Sequence, residues 1–299
     1  MVRNQESGIT KPGNSSVIPS EEWQLQTRHI GQCVQVFQCL PSTNTHAARL
    51  ADDPSSQGRV ILAWEQTAGR GQYCRTWRTP AGKAVLMSVV LFPPLPLCRP
   101  ALLTAWAAVS VCETIRQATG LQARIKWPND VLVRDRKVCG ILIESRVQAS
   151  RRGPSKSSGA LENLAPLPSE SSTAELAVVV GIGLNVNQTA EDFQQADLPN
   201  AGSLALFTRR PLECPTMARL LVDHLDEEYD RLACGDLNPL LASWNDYIGL
   251  AGKLVAIESS DGRHWGRLRE LTLDLVDLDQ GGGRNLNFAP EMIRHIEPA

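Results

Sequence analysis

The stretch Leu176 to Leu184 constrains this 299-residue chain more than any other: apart from two glycines, every side chain in it is apolar. A β-rich run of that kind has no solvent face, which predicts a central strand in a sheet covered on both sides. Such a sheet needs a long chain. At roughly 150 residues per domain, the length corresponds to one large or two smaller domains with a sizeable core.

The rest of the sequence supplies neighbours for that strand. Arg59 to Trp64 is a compact β-rich run, and Ala84 to Phe92 is a second, stopped by Pro93 and Pro94. Ala101 to Thr119 places Leu102, Ala105, Trp106, Val109, Cys112 and Ile115 on one helical stripe, closed by Gly120. Strands are predicted around Arg124 to Trp127, Val131 to Arg134 and Val138 to Glu144, with a tight turn at Asp135 and Arg136. Met217 to Leu232 and Pro239 to Tyr247 read as helices. After Gly249 the texture changes to short β-like pieces (Lys253 to Glu258, His264 to Leu271, Leu273 to Leu278, Leu286 to Phe288) parted by Asp-Gly and Gly-Gly-Gly turns. The expectation is an α+β domain over 35–248 with a small β-barrel over 249–299.

Two segments fall outside this plan. Residues 1–34 lack periodicity and are rich in Ser, Gly, Pro and Gln, predicting a poorly ordered extension too short and irregular for a helix-turn-helix. Residues 148–173 hold seven Ser, three Pro and two Gly, and read as an inserted surface loop.

Charge and cysteine usage exclude several roles. With 30 Lys plus Arg against 32 Asp plus Glu, the net charge of -2 gives no global attraction to nucleic acid or anionic lipid, so any bound anion must be held locally. No apolar run approaches a membrane span, and the first residues lack the apolar region of a signal peptide, which points to the cytoplasm. The eight cysteines form no CxxC pair, so they are expected to be mostly buried thiols in a reducing compartment.

Four clusters carry chemistry. Ser42, Thr43 and Asn44 open a helix with short polar side chains beside free backbone N–H groups. The loop from Glu65 to Trp77 contains Gly69-Arg70-Gly71, in which two glycines allow close backbone approach to a ligand while Arg70 and Arg75 supply forked donors for carboxylate or phosphate. No Gly-Lys-Ser/Thr follows, so this is not a Walker A loop. Lys126-Trp127-Pro128-Asn129-Asp130 sets a cation, an aromatic ring, a rigid turn and a carboxylate between two strands. Finally, Lys137 opens a strand whose Gly140 leaves room for a flat ligand, and Asn185 ends the apolar strand with an amide that needs a partner.

In that order, the Gly-Arg-Gly and Lys-Trp-Pro-Asn-Asp segments resemble those of the biotin protein ligases, the ATP-dependent biotin-[acetyl-CoA-carboxylase] ligases, from about Cys39 to the C-terminus. The resemblance implies a catalytic domain similar to class II aminoacyl-tRNA synthetases, with a mixed sheet and flanking helices, and an SH3-like barrel behind it. The winged helix of members that repress transcription has no counterpart in the sequence, so no DNA partner is expected. The implied reaction joins biotin to the α-phosphate of ATP, giving biotinyl-5′-AMP and pyrophosphate with Mg²⁺, and then transfers biotin to a lysine of a biotin carboxyl carrier protein or another biotin-dependent carboxylase. A monomer or a homodimer is compatible with it.

The same resemblance assigns residues. Ser42, Thr43, Asn44 and Gln66 are implied at the ureido head and rings of biotin, with Gly69, Arg70, Gly71, Gln72, Lys137 and Gly140 around its remainder. Arg70, Arg75, Trp77, Lys126, Asn129, Asp130 and Asn185 are implied at ATP, Trp77 near the adenine and Asn185 offering it an amide. Arg70 and Lys137 are the expected catalytic cations, and Asp130 either a base for the carrier amine or a carboxylate for phosphate-bound Mg²⁺. The loop departs from the family's Gly-Arg-Gly-Arg-x-Gly-Arg at Gln72 and Cys74, and Cys74 adopts a left-handed backbone less readily than glycine. Lipoate or octanoate attachment on the same scaffold, and a noncatalytic biotin sensor, are the rival readings.

Overall fold

The computed structural model describes residues 18–147 and 176–299. Its main sheet contains β1 (Glu21–Trp23), β2 (Val34–Phe37), β3 (Val60–Ala63), β4 (Ala84–Leu91), β5 (Ala123–Lys126), β6 (Asp130–Val133), β7 (Arg136–Val147) and β8 (Leu176–Asn185). The strand order is β1-β2-β3-β4-β8-β7-β6-β5. Only β2 and β3 run parallel, so the sheet is mixed, and the apolar β8 is central as expected, bonded to β4 and β7 along its length.

Alternation divides this sheet into two faces. Val85, Met87 and Val89 of β4, Cys139 and Ile141 of β7 and Val178, Val180, Ile182 and Leu184 of β8 point into the larger core. Helices α2 (Pro100–Thr119), α5 (Cys214–Ala233) and α6 (Asn238–Ile248) join that core. Helix α2 is buried beyond the predicted stripe, at Leu103, Ala107, Ala108 and Val111 as well, because it packs on the sheet and on the other two helices. Gly120 ends it at φ +69, the left-handed C-cap that the sequence predicts. On the opposite face α1 (Thr43–Leu50) covers a smaller cluster that includes Phe37, Leu40, Ile61, Ala63, Val90 and Val179. The part of this face over β7 and the end of β8 is left for the candidate site. Short helices α3 (Ala190–Gln195) and α4 (Leu204–Thr208) follow β8.

Strands β9 (Leu254–Ser259), β10 (Gly262–Leu271), β11 (Val276–Asp279), β12 (Asn285–Phe288) and β13 (Ile293–Pro298) form a second, antiparallel sheet in the order β12-β11-β10-β9-β13. Together the two sheets and their helices make an α+β architecture. The apolar core continues into the second sheet at Val255, Ile257, Leu268 and Val276. Two side chains bridge the sheets. Trp127 packs tilted against Trp244 of α6, with ring centres 5.9 Å apart, and donates its indole N–H to the Ile293 carbonyl at 3.4 Å, and Arg99 donates to the Leu273 carbonyl at 3.1 Å and pairs with Asp274.

Several expectations need correction. The extension predicted through residue 34 already holds β1, with Trp23 and Ile30 buried, because Asp226 of α5 accepts the backbone N–H groups of Arg28, His29 and Ile30 at 2.8, 2.6 and 2.7 Å. The small barrel predicted over 249–299 is observed as a five-stranded antiparallel sheet that begins at β12 and ends at β13. The turn before β7 sits one residue earlier, on Arg134 (φ 48) and Asp135 (φ 62), the paired left-handed residues of a tight hairpin. Of the eight free cysteines only Cys112, Cys139 and Cys214 are buried, while Cys39, Cys74 and Cys234 are exposed. Residues 1–17 and the Ser-rich segment 148–173 lie outside the described residues. Among those described, no helix is long and apolar enough to cross a membrane.

Candidate functional site

Helix α1 begins against the open face. Ser42 is its N-cap and accepts the Thr45 N–H at 3.4 Å. Ser42, Thr43 and Asn44 are all buried, so their polar groups need partners, and these come from the Gln66 loop, β4 and β7. The Gln66 side-chain oxygen accepts the Thr43 N–H at 2.7 Å and lies 3.1 Å from the Thr43 hydroxyl. Ser88, a lone hydroxyl inside apolar β4, lies 2.8 Å from Thr43 Oγ1 and donates to Asn44 Oδ1 at 2.6 Å.

Glycines form the floor. A Cβ on Gly181 would sit 2.1 Å from Asn44 Oδ1, and one on Gly183 would sit 2.7 Å from Trp77 Cε2. Gly140, opposite Gly183 in the β7/β8 register, would meet Trp77 Cζ3 at 3.0 Å and Lys137 Nζ at 3.3 Å. The room predicted above Gly140 is therefore real, and the flat group lying in it is the chain's own Trp77 indole. Its Nε1 is buried and has no hydrogen-bond partner.

The loop that delivers Trp77 folds back on itself. Arg70 and Thr76 form an antiparallel bridge, Trp77 donates its N–H to Gly69 O at 3.0 Å, and Gly71 N–H donates to Arg75 O at 2.7 Å. Gly69 is required here, since a Cβ would lie 2.4 Å from the Trp77 carbonyl. Gly71 is not: its φ of -130° is ordinary, and the left-handed positions fall on Tyr73 (φ 54) and Cys74 (φ 60). Cys74 thus adopts the backbone that glycine would adopt more cheaply.

The two expected cations lie on this face with Trp77 between them. Arg70 Nη2 pairs with Glu144 Oε2 at 2.7 Å, and the same oxygen accepts Asn44 Nδ2 at 2.8 Å. Lys137 Nζ pairs with Asp130 Oδ1 at 2.6 Å and lies 5.7 Å from the Trp77 ring centre. Asn129 fixes the Asp130 strand to β7, donating its amide to Ile141 O at 2.7 Å while its own carbonyl accepts the Ile141 N–H at 3.0 Å. Behind Lys137, burial pushes the Cys139 thiol far above its ordinary range, so it is a neutral core residue and no nucleophile.

Other predicted residues are not drawn into this cluster. Asn185 is buried, with its amide donating to Gly202 O at 3.1 Å and its oxygen accepting from Gln188 Nε2 at 2.8 Å. It braces the segment before α4. Lys126 and Arg75 are exposed, and neither they nor Gln72 have a side-chain partner among the described residues. Trp127 faces the second sheet instead of a ligand. Conversely, Glu144 and Ser88 join the network although no role was predicted for them. The signal for Ser88 was a single polar side chain in an otherwise apolar run, whereas Glu144 stands at the polar end of its run, beside Ser145 and Arg146. A separate cleft of about 530 Å³ on the second sheet, lined by Trp265, Gln280 and Arg284, contains none of the predicted residues.

The model of the biotin/lipoate A/B protein ligase family matches residues 36–153. A bifunctional ligase/repressor BirA from Bacillus subtilis is 30% identical over 260 residues, which is 87% of this chain and 72% of that protein. A biotin–[acetyl-CoA-carboxylase] ligase from Paracoccus denitrificans is 34% identical over 214 residues, 71% of this chain and 72% of that protein. Among solved structures, a biotin protein ligase from Aquifex aeolicus in complex with biotin and ATP has a similar fold, with a TM-score of 0.66 over 89% of this chain and 99% of that one at 20% identity.

Proposed function

The chain belongs to the biotin protein ligase family, and on that premise we propose that it joins biotin to ATP as biotinyl-5′-AMP, releasing pyrophosphate, and then passes the biotinyl group to a lysine of a carboxylase carrier domain. The observation that supports this reading most is that two cations, Arg70 paired with Glu144 and Lys137 paired with Asp130, lie along one sheet face beside a buried Ser-Thr-Asn helix start. Carboxylate attack on a phosphate brings like charges together, and fixed cations are the protein's means of offsetting that repulsion.

The residues then take distinct tasks. Ser42, Thr43 and Asn44 with Gln66 form the end that receives the ureido head, where an analogue lacking hydrogen-bonding groups would leave buried polar atoms unpaired. Arg70 meets the biotin carboxylate and the α-phosphate. Lys137 stands at the new acyl-phosphate bond, held there by Asp130, whose second oxygen is left for the proton of the incoming amine. Trp77 supplies the flat apolar wall for the nucleotide. Among the described residues no group of three or more His, Cys, Asp or Glu is placed to hold a metal. A Mg²⁺ would be carried by the triphosphate and would supply neutralisation of phosphate charge, with Asp130 the carboxylate available to it as the alternative to the base role. We take the main sheet with its helices as class II aminoacyl-tRNA synthetase-like and the second sheet as SH3-like. Eight free thiols agree with a reducing cytoplasm.

Incubation with biotin, ATP, Mg²⁺ and a biotin carrier domain, read by streptavidin blot, tests the reading. The expected result is labelling of the carrier, with pyrophosphate release lowered by about 10²- to 10³-fold in Lys137→Met. An unlabelled carrier, or lipoate used as well as biotin, would overturn it.

A further inference from the structure

We propose that Glu144 is a positioning residue that holds Arg70 before substrate arrives and is displaced by the carboxylate of biotin, so that binding at this guanidinium is an exchange of one carboxylate for another. The proposal rests on the ligase reading above and adds to it a competitor built into the chain.

The geometry favours exchange over a permanent bond. Glu144 engages Arg70 through a single contact, Nη2 to Oε2 at 2.7 Å, which leaves the other guanidinium donors for a second partner. A carboxylate that meets the fork with both oxygens outcompetes one that meets it with a single oxygen. The pair is also accessible, with 44% of the Arg70 side chain and 33% of the Glu144 side chain exposed, and ion pairs in such surroundings are weak. Glu144 is not stranded when Arg70 leaves. It keeps the Asn44 amide at 2.8 Å, and Asn44 is itself anchored at its other end by the fully buried Ser88. Asn44 therefore fixes Glu144 on β7 while the Arg70 side chain passes from one anion to the other.

Such a competitor imposes selectivity. A ligand with the biotin head but no carboxylate gains nothing from Arg70 and does not displace Glu144, whereas biotin does both. Removing the charge at position 144 should therefore help biotin alone. The test is calorimetric titration of the full chain, as wild type and as Glu144→Gln, with biotin and with biotinol, its neutral alcohol. The expected result is biotin binding about 3- to 10-fold tighter in the variant with biotinol binding unchanged. Glu144→Asp, which keeps the charge but falls one methylene short of Arg70, serves as the second variant and should shift the biotin-to-biotinol affinity ratio in the same direction. Weaker biotin binding in Glu144→Gln, an equal shift for both ligands, or an unmoved ratio in both variants overturns the proposal while leaving the ligase reading intact. A wild type that binds neither ligand removes that reading, and this proposal with it.

Discussion

Substituting Gly181 by alanine would test the floor of the site directly. The new Cβ would lie 2.1 Å from Asn44 Oδ1, 2.8 Å from its Cγ and 2.9 Å from its Nδ2, all inside van der Waals contact. Backbone yields little in the middle of a paired strand, so Asn44 must retreat by more than about 1 Å. That movement breaks the 2.6 Å bond from Ser88 and the 2.8 Å bond to Glu144. Overpacking costs about 1–3 kcal/mol and each net hydrogen bond about 1 kcal/mol, so a loss of roughly 3 kcal/mol is expected. In a chain of this size that lowers Tm by roughly 6–10 °C. The assay is urea and thermal unfolding of wild type, Gly181→Ala, Asn44→Ala and the double variant. Once Asn44 is truncated the obstacle is gone, and Gly181→Ala should then cost less than about 1 kcal/mol, leaving a coupling energy of about 2 kcal/mol. Equal costs of Gly181→Ala in both backgrounds would refute the claim that Asn44 is what the glycine accommodates.

Two further outcomes are expected. Gln72→Arg restores the donor found in related loops, and should reduce labelling of bystander lysines by released adenylate about 5-fold, the worth of one exposed charge contact; equal labelling by both proteins counts against a role for Gln72 in retention. Burial raises the Cys214 thiol to about 11 and raises those of Cys112 and Cys139 too. Because the unfolded thiols, near 8.5, release protons first, stability is lost as pH rises above about 9, by about 2 kcal/mol per thiol at pH 10. The fall in Tm between pH 8 and pH 10 should be smaller in Cys214→Ala than in wild type, and identical slopes would rule out the Cys214 contribution.

How far the sequence discloses the molecule depends on whether a signal is local. The central strand was legible because an apolar run at β8 has only one use, and the end of α2 because Gly120 offers a left-handed C-cap. Strand β1 was not, since Glu21 and Glu22 are exposed and the strand is held by pairing with β2, while the segment joining the two is anchored by Asp226, some 200 residues away in the chain. The same division runs through the site. Ser42 to Asn44 and the Gly-Arg-Gly loop announce themselves by composition. Glu144 gains its meaning only when β7 brings it beneath Arg70, and the partners of Asn185, Gln188 and Gly202, are set only by the folded chain. Backbone alternation is visible in a string of residues, while the competition of partners for one amide belongs to the folded chain.

The tryptophan of the Lys-Trp-Pro-Asn-Asp segment ties these scales together. Its indole is wedged between Trp244 and the carbonyl of Ile293, while three residues later Asp130 grips the ammonium of Lys137. The C-terminal sheet therefore acts on the turn that carries Asp130 as a brace acts on a hinge pin. Cutting the chain down to its larger lobe would leave Asp130 and Lys137 in the chain yet remove the support behind that turn.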